Sequence, residues 1–221
     1  MKNIWQILTL LLAVSLTVLS IKITLLENES PANNTIEEVS SPQDNKAAII
    51  DNIMTRTSVR TYTTQKVEEE KIDTLLRAAM AAPSAGNKQP WSFVVIEDRK
   101  TLDALPSIVS GAHMAAKAQL AIVVCGTLIP PTGLLSPEYW IQDCSAATQN
   151  ILLAAHGMGL GAVWCGAYPE NGTGKVEKMS KLLNLPKDTF ALNIIVIGYP
   201  DKEPIIKDKW NTSKIFYNKV R

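Results

Sequence analysis

Arg56, Thr57, Ser58 and Arg60 fall within the five residues RTSVR, and about one helix later the chain reads APSAGNKQPW. Two guanidinium forks and two hydroxyls near a helix end are the donors that a buried phosphate monoester requires. Taken alone, the same residues also suit a solvated turn with a capping serine. The second stretch is more specific. Pro83 and Pro90 stiffen its ends, Gly86 permits unusual dihedrals, and Asn87 and Gln89 offer amide donors and acceptors to a planar polar heterocycle. As an isolated motif it equally serves as a helix-to-strand connection.

Other chemistries find little support. GMGLG (157–161) follows a helix and precedes a strand, the reverse of the strand, glycine turn and helix that cradle a pyrophosphate, so it reads as a helix end and turn. AGNKQ and NGTGK lack the spacing and hydroxyl of a P-loop. His113 and His156 sit in neither a nucleophile elbow nor a metal-ligand pattern. Cys125, Cys144 and Cys165 lie in apolar or small-residue stretches without CxxC spacing, so buried free thiols are expected, with no metal site. Polar cradles without an evident acid, base or nucleophile point to a cofactor that performs its own chemistry, and no catalytic side chain is nominated.

The elements that must position these residues are those of an α/β chain. With 221 residues and 46% hydrophobic content, one folded unit with a substantial core is expected. Its 22 basic and 21 acidic residues are scattered, which argues against a nucleic-acid partner. Residues 4–21 are uncharged and apolar, and with their flanks to residue 26 they read as a signal peptide or membrane signal-anchor. This predicts a membrane-anchored or exported protein. Residues 27–45 are polar and rich in Pro, Ser and Asn, as in a flexible tether, which leaves 46–221 as the folded domain. Within it, helices are expected over KAAIIDNIMTR with Asp44 and Asn45 as candidate N-caps, over 67–82, near 99–105, from Glu138 through GMG, and over 175–183. Strands are expected at 92–97, 119–126, 161–168 and 190–200. The long helix from Glu138 is apolar on more than one face and should lie centrally or at a subunit interface.

RTSVR after a short helix, PSAGNKQPW after the next, WIQDCSAATQNILLAAHGMGLGAVWCGAYP, NIIVIGYP and the tail KDKWNTSKIFYNKV together resemble the nitroreductase family of FMN-dependent oxidoreductases. The resemblance runs from about Lys46 to the C-terminus. It implies a three-layer α/β/α fold with a central mixed, mainly antiparallel sheet, and a homodimer with FMN in each interface. Arg56, Thr57, Ser58 and Arg60 then match the segment that holds the FMN phosphate and one flavin edge. Pro83, Ser84, Ala85, Gly86 and Asn87 match the loop that packs on the flavin from the partner subunit. Trp164, Cys165 and Gly166 match the stretch beside the isoalloxazine. Lys207 and Lys209 stand where the family often has a basic phosphate ligand, commonly arginine, and Gln142 falls near the expected ligand cavity.

The activity implied is two-step exchange: NADH or NADPH reduces the flavin and departs, and a small acceptor such as a nitroaromatic or quinone takes the electrons. An exported domain would need a different donor. Two alternatives are a specialised branch of the superfamily, such as a reductive dehalogenase with residues 128–140 as a substrate cover, and a membrane-tethered flavin-binding module without enzymatic activity.

Overall fold

The computed structural model describes residues 42–128, 138–169 and 172–220. The chain divides into two compact units, Met1–Asn45 and Lys46–Arg221. The N-terminal apolar run and most of the candidate cover at 128–140 lie outside the described residues. The membrane-anchored or exported placement drawn from that run is corrected. Among the described residues no helix is long and apolar enough to cross a membrane. The longest, Tyr139–Gly157, is broken by Gln142, Asp143, Ser145, Thr148, Gln149 and Asn150.

Among the described residues, five α-helices and four strands follow in the order α1 Pro42–Thr55, α2 Glu69–Met80, β1 Trp91–Ile96, α3 Arg99–Ile108, β2 Leu120–Thr127, α4 Tyr139–Gly157, β3 Gly161–Gly166, α5 Lys175–Leu183 and β4 Thr189–Gly198. The first begins at Pro42, so Asp44 and Asn45 lie inside it and are not its caps. A proline suits a first helical position, where its missing N–H has no intrahelical partner to lose. α3 is started by Asp98, whose carboxylate accepts from the Thr101 amide at 2.9 Å.

The strands form one sheet in the order β1-β2-β4-β3, every neighbouring pair antiparallel. The parallel component of the sheet among the described residues is a single bridge from Ser58 to Ala162. Alternation along β2 sends Ala121, Val123 and Cys125 into one core and Leu120, Ile122 and Val124 into the other. A strand buried on both faces needs apolar residues throughout, and this is why QLAIVVCG shows no polar alternation. α3 and α5 cover the first face through Leu102, Leu105 and Met179. α2 and α4 cover the second, giving three layers.

On α4 the buried residues Trp140, Asp143, Cys144, Ala147, Thr148, Ile151, Leu152 and Ala155 follow helical spacing. One stripe therefore meets the sheet while Ile141, Ala146 and Ala154 pack along its flanks. Gly126 is required opposite this helix, because a Cβ there would lie 2.3 Å from the Trp140 ring. Lys71 donates to the Tyr199 hydroxyl at 2.6 Å, which in turn donates to Glu68 at 2.6 Å, joining the start of α2 to the end of β4.

Candidate functional site

The RTSVR segment becomes a strap across one end of the sheet. At its start, Thr55 pairs through Oγ1 with His156 Nε2 at 2.9 Å, and Asn52 donates to the Leu153 carbonyl at 3.1 Å, fixing the end of α1 to the end of α4. The Val59 amide donates to Ala162 O at 3.1 Å, and the Thr63 amide to Tyr199 O at 2.9 Å. Val59 and Tyr62 are buried, while Ser58 and Arg60 between and before them remain exposed. The Tyr62 hydroxyl donates to Val59 O at 2.6 Å and lies 3.0 Å from Val196 O. Burial pushes its phenol well above its ordinary pKa, so it remains a neutral donor.

Gly161 and Gly198 make room for this strap. A Cβ on Gly161 would sit 2.6 Å from Val59, and one on Gly198 would sit 3.1 Å from Tyr62. Because the Asp201 amide donates to Thr61 O at 3.2 Å, the C-terminal tail leaves the sheet alongside the strap.

Strap and tail enclose a cavity of about 620 Å³ whose polar lining includes Thr57, Ser58, Arg60, Lys202, Lys207 and Lys209. Glu203 is its one carboxylate. A second cavity of about 490 Å³ is lined by Arg56, Gln149, Lys207, Asp208, Lys209 and Trp210, with Ile53, Met54, Thr55 and Ile206. Lys207 and Lys209 line both. An excess of cations with the three hydroxyls of Thr57, Ser58 and Thr61 at the wall is a donor set for a phosphate group.

Thus Arg56, Thr57, Ser58, Arg60, Lys207 and Lys209, separated by some 150 positions in sequence, are brought to two adjoining cavities. Pro83, Ser84, Ala85, Gly86 and Asn87 line neither of them. Their loop is folded on itself as a 3-10 turn between α2 and β1, with Gly86 and Asn87 exposed. Trp164 is 37% exposed and Gly166 is exposed on β3. The Cys165 thiol turns to the opposite face, where it donates to Gly111 O at 3.1 Å and lies 3.8 Å from the Met114 sulfur. Burial raises its pKa to about 11, and those of Cys125 and Cys144 to about 12, so none of the three is a thiolate nucleophile near neutrality.

Gln142 is exposed and lines neither cavity; Gln149, two turns further along the same helix face, lines the second. Sequence reasoning also missed Lys202 and Trp210, since nothing in a tail without periodicity marks which residues turn inward. Gln149 alone had a signal, its seven-residue spacing from Gln142. Neither histidine lines either of these two cavities, and no cluster of three or more potential metal ligands occurs among the described residues.

The three-layer fold and its cationic strap-and-tail cavity define a class, and comparison with known proteins gives it a name. The nitroreductase family model matches residues 53–127 and 107–199. A crystal structure from Bacteroides thetaiotaomicron, described provisionally as an NADH dehydrogenase/NAD(P)H nitroreductase, is 46% identical, spans 78% of this chain and 98% of its own, and gives a TM-score of 0.72. A Methanothermobacter thermautotrophicus protein with the same provisional description is 39% identical over 174 residues, 79% of this chain and 88% of its own length. An FMN-dependent nitroreductase from Clostridium difficile is 29% identical, with a TM-score of 0.71 over 77% of this chain and 99% of its own. The chain belongs to the nitroreductase family.

Proposed function

We propose that this protein is an FMN-dependent NAD(P)H oxidoreductase that passes electrons to nitroaromatics, quinones or similar small acceptors. The observation that carries this reading is the cavity between strap and tail, which Ser58, Arg60, Lys207 and Lys209 line together. An FMN phosphate is a dianion at neutral pH, and this set supplies more than enough countercharge and hydroxyl donors to hold it. Arg56, lining the adjoining cavity with the same two lysines, supplies a further fork. Lysine at 207 and 209 keeps the charge of arginine without its bidentate geometry, so specificity for the phosphate falls mainly to Arg56, Arg60 and Ser58.

The chemistry that FMN supplies when bound is two-electron exchange at its isoalloxazine, taking hydride from reduced nicotinamide and yielding it to the acceptor. The protein's own groups bind and orient. With FMN bound, Trp164 and Gly166 would border the ring from β3, and Asn87 of a second copy would meet its pyrimidine side through an amide. Residues 46–221 carry this activity.

Surface that a monomer leaves uncovered supports a homodimer. Ile49, Ile50, Ile53 and Met54 on α1 are each 48% exposed or more. Trp210, Tyr217 and Val220 on the tail exceed 70%. Apolar surface of this extent on two neighbouring segments is what an obligate symmetric interface consumes. The tail of each chain lies across the other and brings the Pro83–Asn87 loop of one copy to the strap of its partner.

The test is the visible spectrum of the full chain reconstituted with FMN, followed anaerobically as NADH or NADPH is added. Bleaching, with colour restored by a nitroaromatic or a quinone, is expected. A chain that refuses FMN defeats the proposal; one that binds FMN and is bleached by neither nicotinamide defeats its donor assignment.

A further inference from the structure

The loop between α2 and β1 holds a conformation that its residues do not favour. Gly86, Asn87 and Gln89 have φ of 56°, 53° and 48°. The left-handed region suits glycine and is sparsely populated by other residues, so two of the three need outside support. Most of the loop's hydrogen bonds are internal. The Asn87 amide donates to Ser84 O at 3.0 Å, the Lys88 amide to Ala85 O at 3.2 Å, and the Gln89 amide to Ser84 Oγ at 2.9 Å. Between Ser84 and Gln89, the one bond to another element among the described residues is from the Ala85 amide to Asp143 Oδ1, at 2.9 Å.

Asp143 is 6% exposed and stands in the buried stripe of α4, one turn from Trp140 and Ala147. Enclosing a carboxylate this far is costly unless it is hydrogen bonded. Since its helix packs against both the sheet and α2, the acceptor it presents to Ala85 is fixed. Gln89 completes the arrangement. Its Nε2 donates to Asn87 Oδ1 at 2.8 Å, which commits that oxygen within the loop and leaves the Asn87 Nδ2 as the donor available to a ligand.

We propose that Asp143 is a positioning residue, holding the Pro83–Asn87 loop through the Ala85 amide so that Asn87 meets the flavin in one orientation. This rests on the FMN reading above. Asp143 touches neither cofactor nor substrate, and acts by fixing the loop before any ligand arrives.

The experiment compares full-length wild type with Asp143→Asn, Asp143→Ala and Ala85→Pro. It measures hydrogen exchange of the loop amides in FMN-free protein, FMN affinity by fluorescence, and thermal unfolding. Asp143→Asn keeps an acceptor oxygen and should stay within about twofold of wild type, whereas Asp143→Ala should speed exchange at Asn87, Lys88 and Gln89 and weaken FMN binding about tenfold, the effect of one hydrogen bond to a charged group. Ala85→Pro removes the donor without disturbing α4. Ser84 is already extended, with ψ of 152°, as a residue before proline must be. It should reproduce both effects, and it decides the matter if Asp143→Ala fails to fold. The proposal is overturned if the alanine or proline variant loses only thermal stability while exchange and FMN affinity stay at wild type, or if asparagine is as damaging as alanine. A wild-type chain that refuses FMN, with exchange responding as expected, defeats the flavin reading and leaves the Asp143 tie standing.

Discussion

Arg60 and Lys207 line the same cavity from segments that meet only in the fold, and each is expected to hold the phosphate by charge-assisted bonds. Alanine at either position should weaken FMN affinity about ten- to a hundredfold, as for loss of one hydrogen bond to a charged group. Titration of the apoprotein with FMN measures this. Lys207→Arg should bind as well as wild type or better. Asn193 makes the opposite kind of prediction. It is fully buried on β4, its Nδ2 donates to Thr148 Oγ1 at 2.9 Å, and its Oδ1 has no partner. Thr148 donates to Cys144 O at 2.8 Å, so it stays satisfied without Asn193. Asn193→Leu, which removes a stranded acceptor while keeping the branched skeleton of the side chain, should therefore be neutral or stabilising by about 1 kcal/mol in denaturant unfolding. A loss of several kcal/mol would show that a bound water completes that acceptor.

At the scale of elements, Gly161 is a spacer between β3 and the strap. Gly161→Ala would drive a methyl into Val59, contacting it at 2.6 Å. A cost of about 1–3 kcal/mol is expected from such overpacking. Because the strap must shift, FMN affinity should fall with stability. Gly111→Ala, where a Cβ meets nothing within 4 Å, is the control. The Asp98 cap of α3 gives a pH dependence. The Thr101 amide bonded to its carboxylate holds its pKa below the ordinary value. A depressed folded-state pKa means stabilisation that is present above the unfolded value and lost as pH falls through the folded one. Asp98→Ala should thus melt below wild type at neutral pH, and the two melting temperatures should converge as pH falls through the acid range.

For the whole molecule, the exposed apolar residues of α1 and the tail predict an assembly that outlasts dilution. Sedimentation of the full chain should give a dimer at micromolar concentration. Trp210→Asp, placing a charge on a residue 72% exposed in the single chain, should shift it toward monomer and release FMN together with the partner. A monomeric wild type that retains FMN would show instead that one chain completes its own site.

Local pattern settled most of the elements, because the signals that define them are short-ranged. VEEEKIDTLLRAAMAA carries its acidic first turn and helical apolar spacing within one stretch, and α2 follows at Glu69–Met80. QLAIVVCG and FALNIIVIG are apolar but for Gln119 and Asn193, and both became central strands buried on both faces. The start of α1 was misjudged because Asp and Asn favour caps over helix interiors, whereas this helix runs back through both to Pro42. RTSVR and PSAGNKQPW showed that polar donors gather at two points, and in the family's order they pointed to a flavin. Only the tertiary structure decided where those donors go. The pairing of Thr61 with Asp201 carries Lys207 and Lys209 to the strap, strand alternation turns Cys165 away from Trp164 and Gly166, and the bond from Ala85 to Asp143 spans 58 positions. Such contacts join residues distant in sequence, and each depends on the register of a sheet and the rotation of a helix, quantities that no single stretch of chain contains.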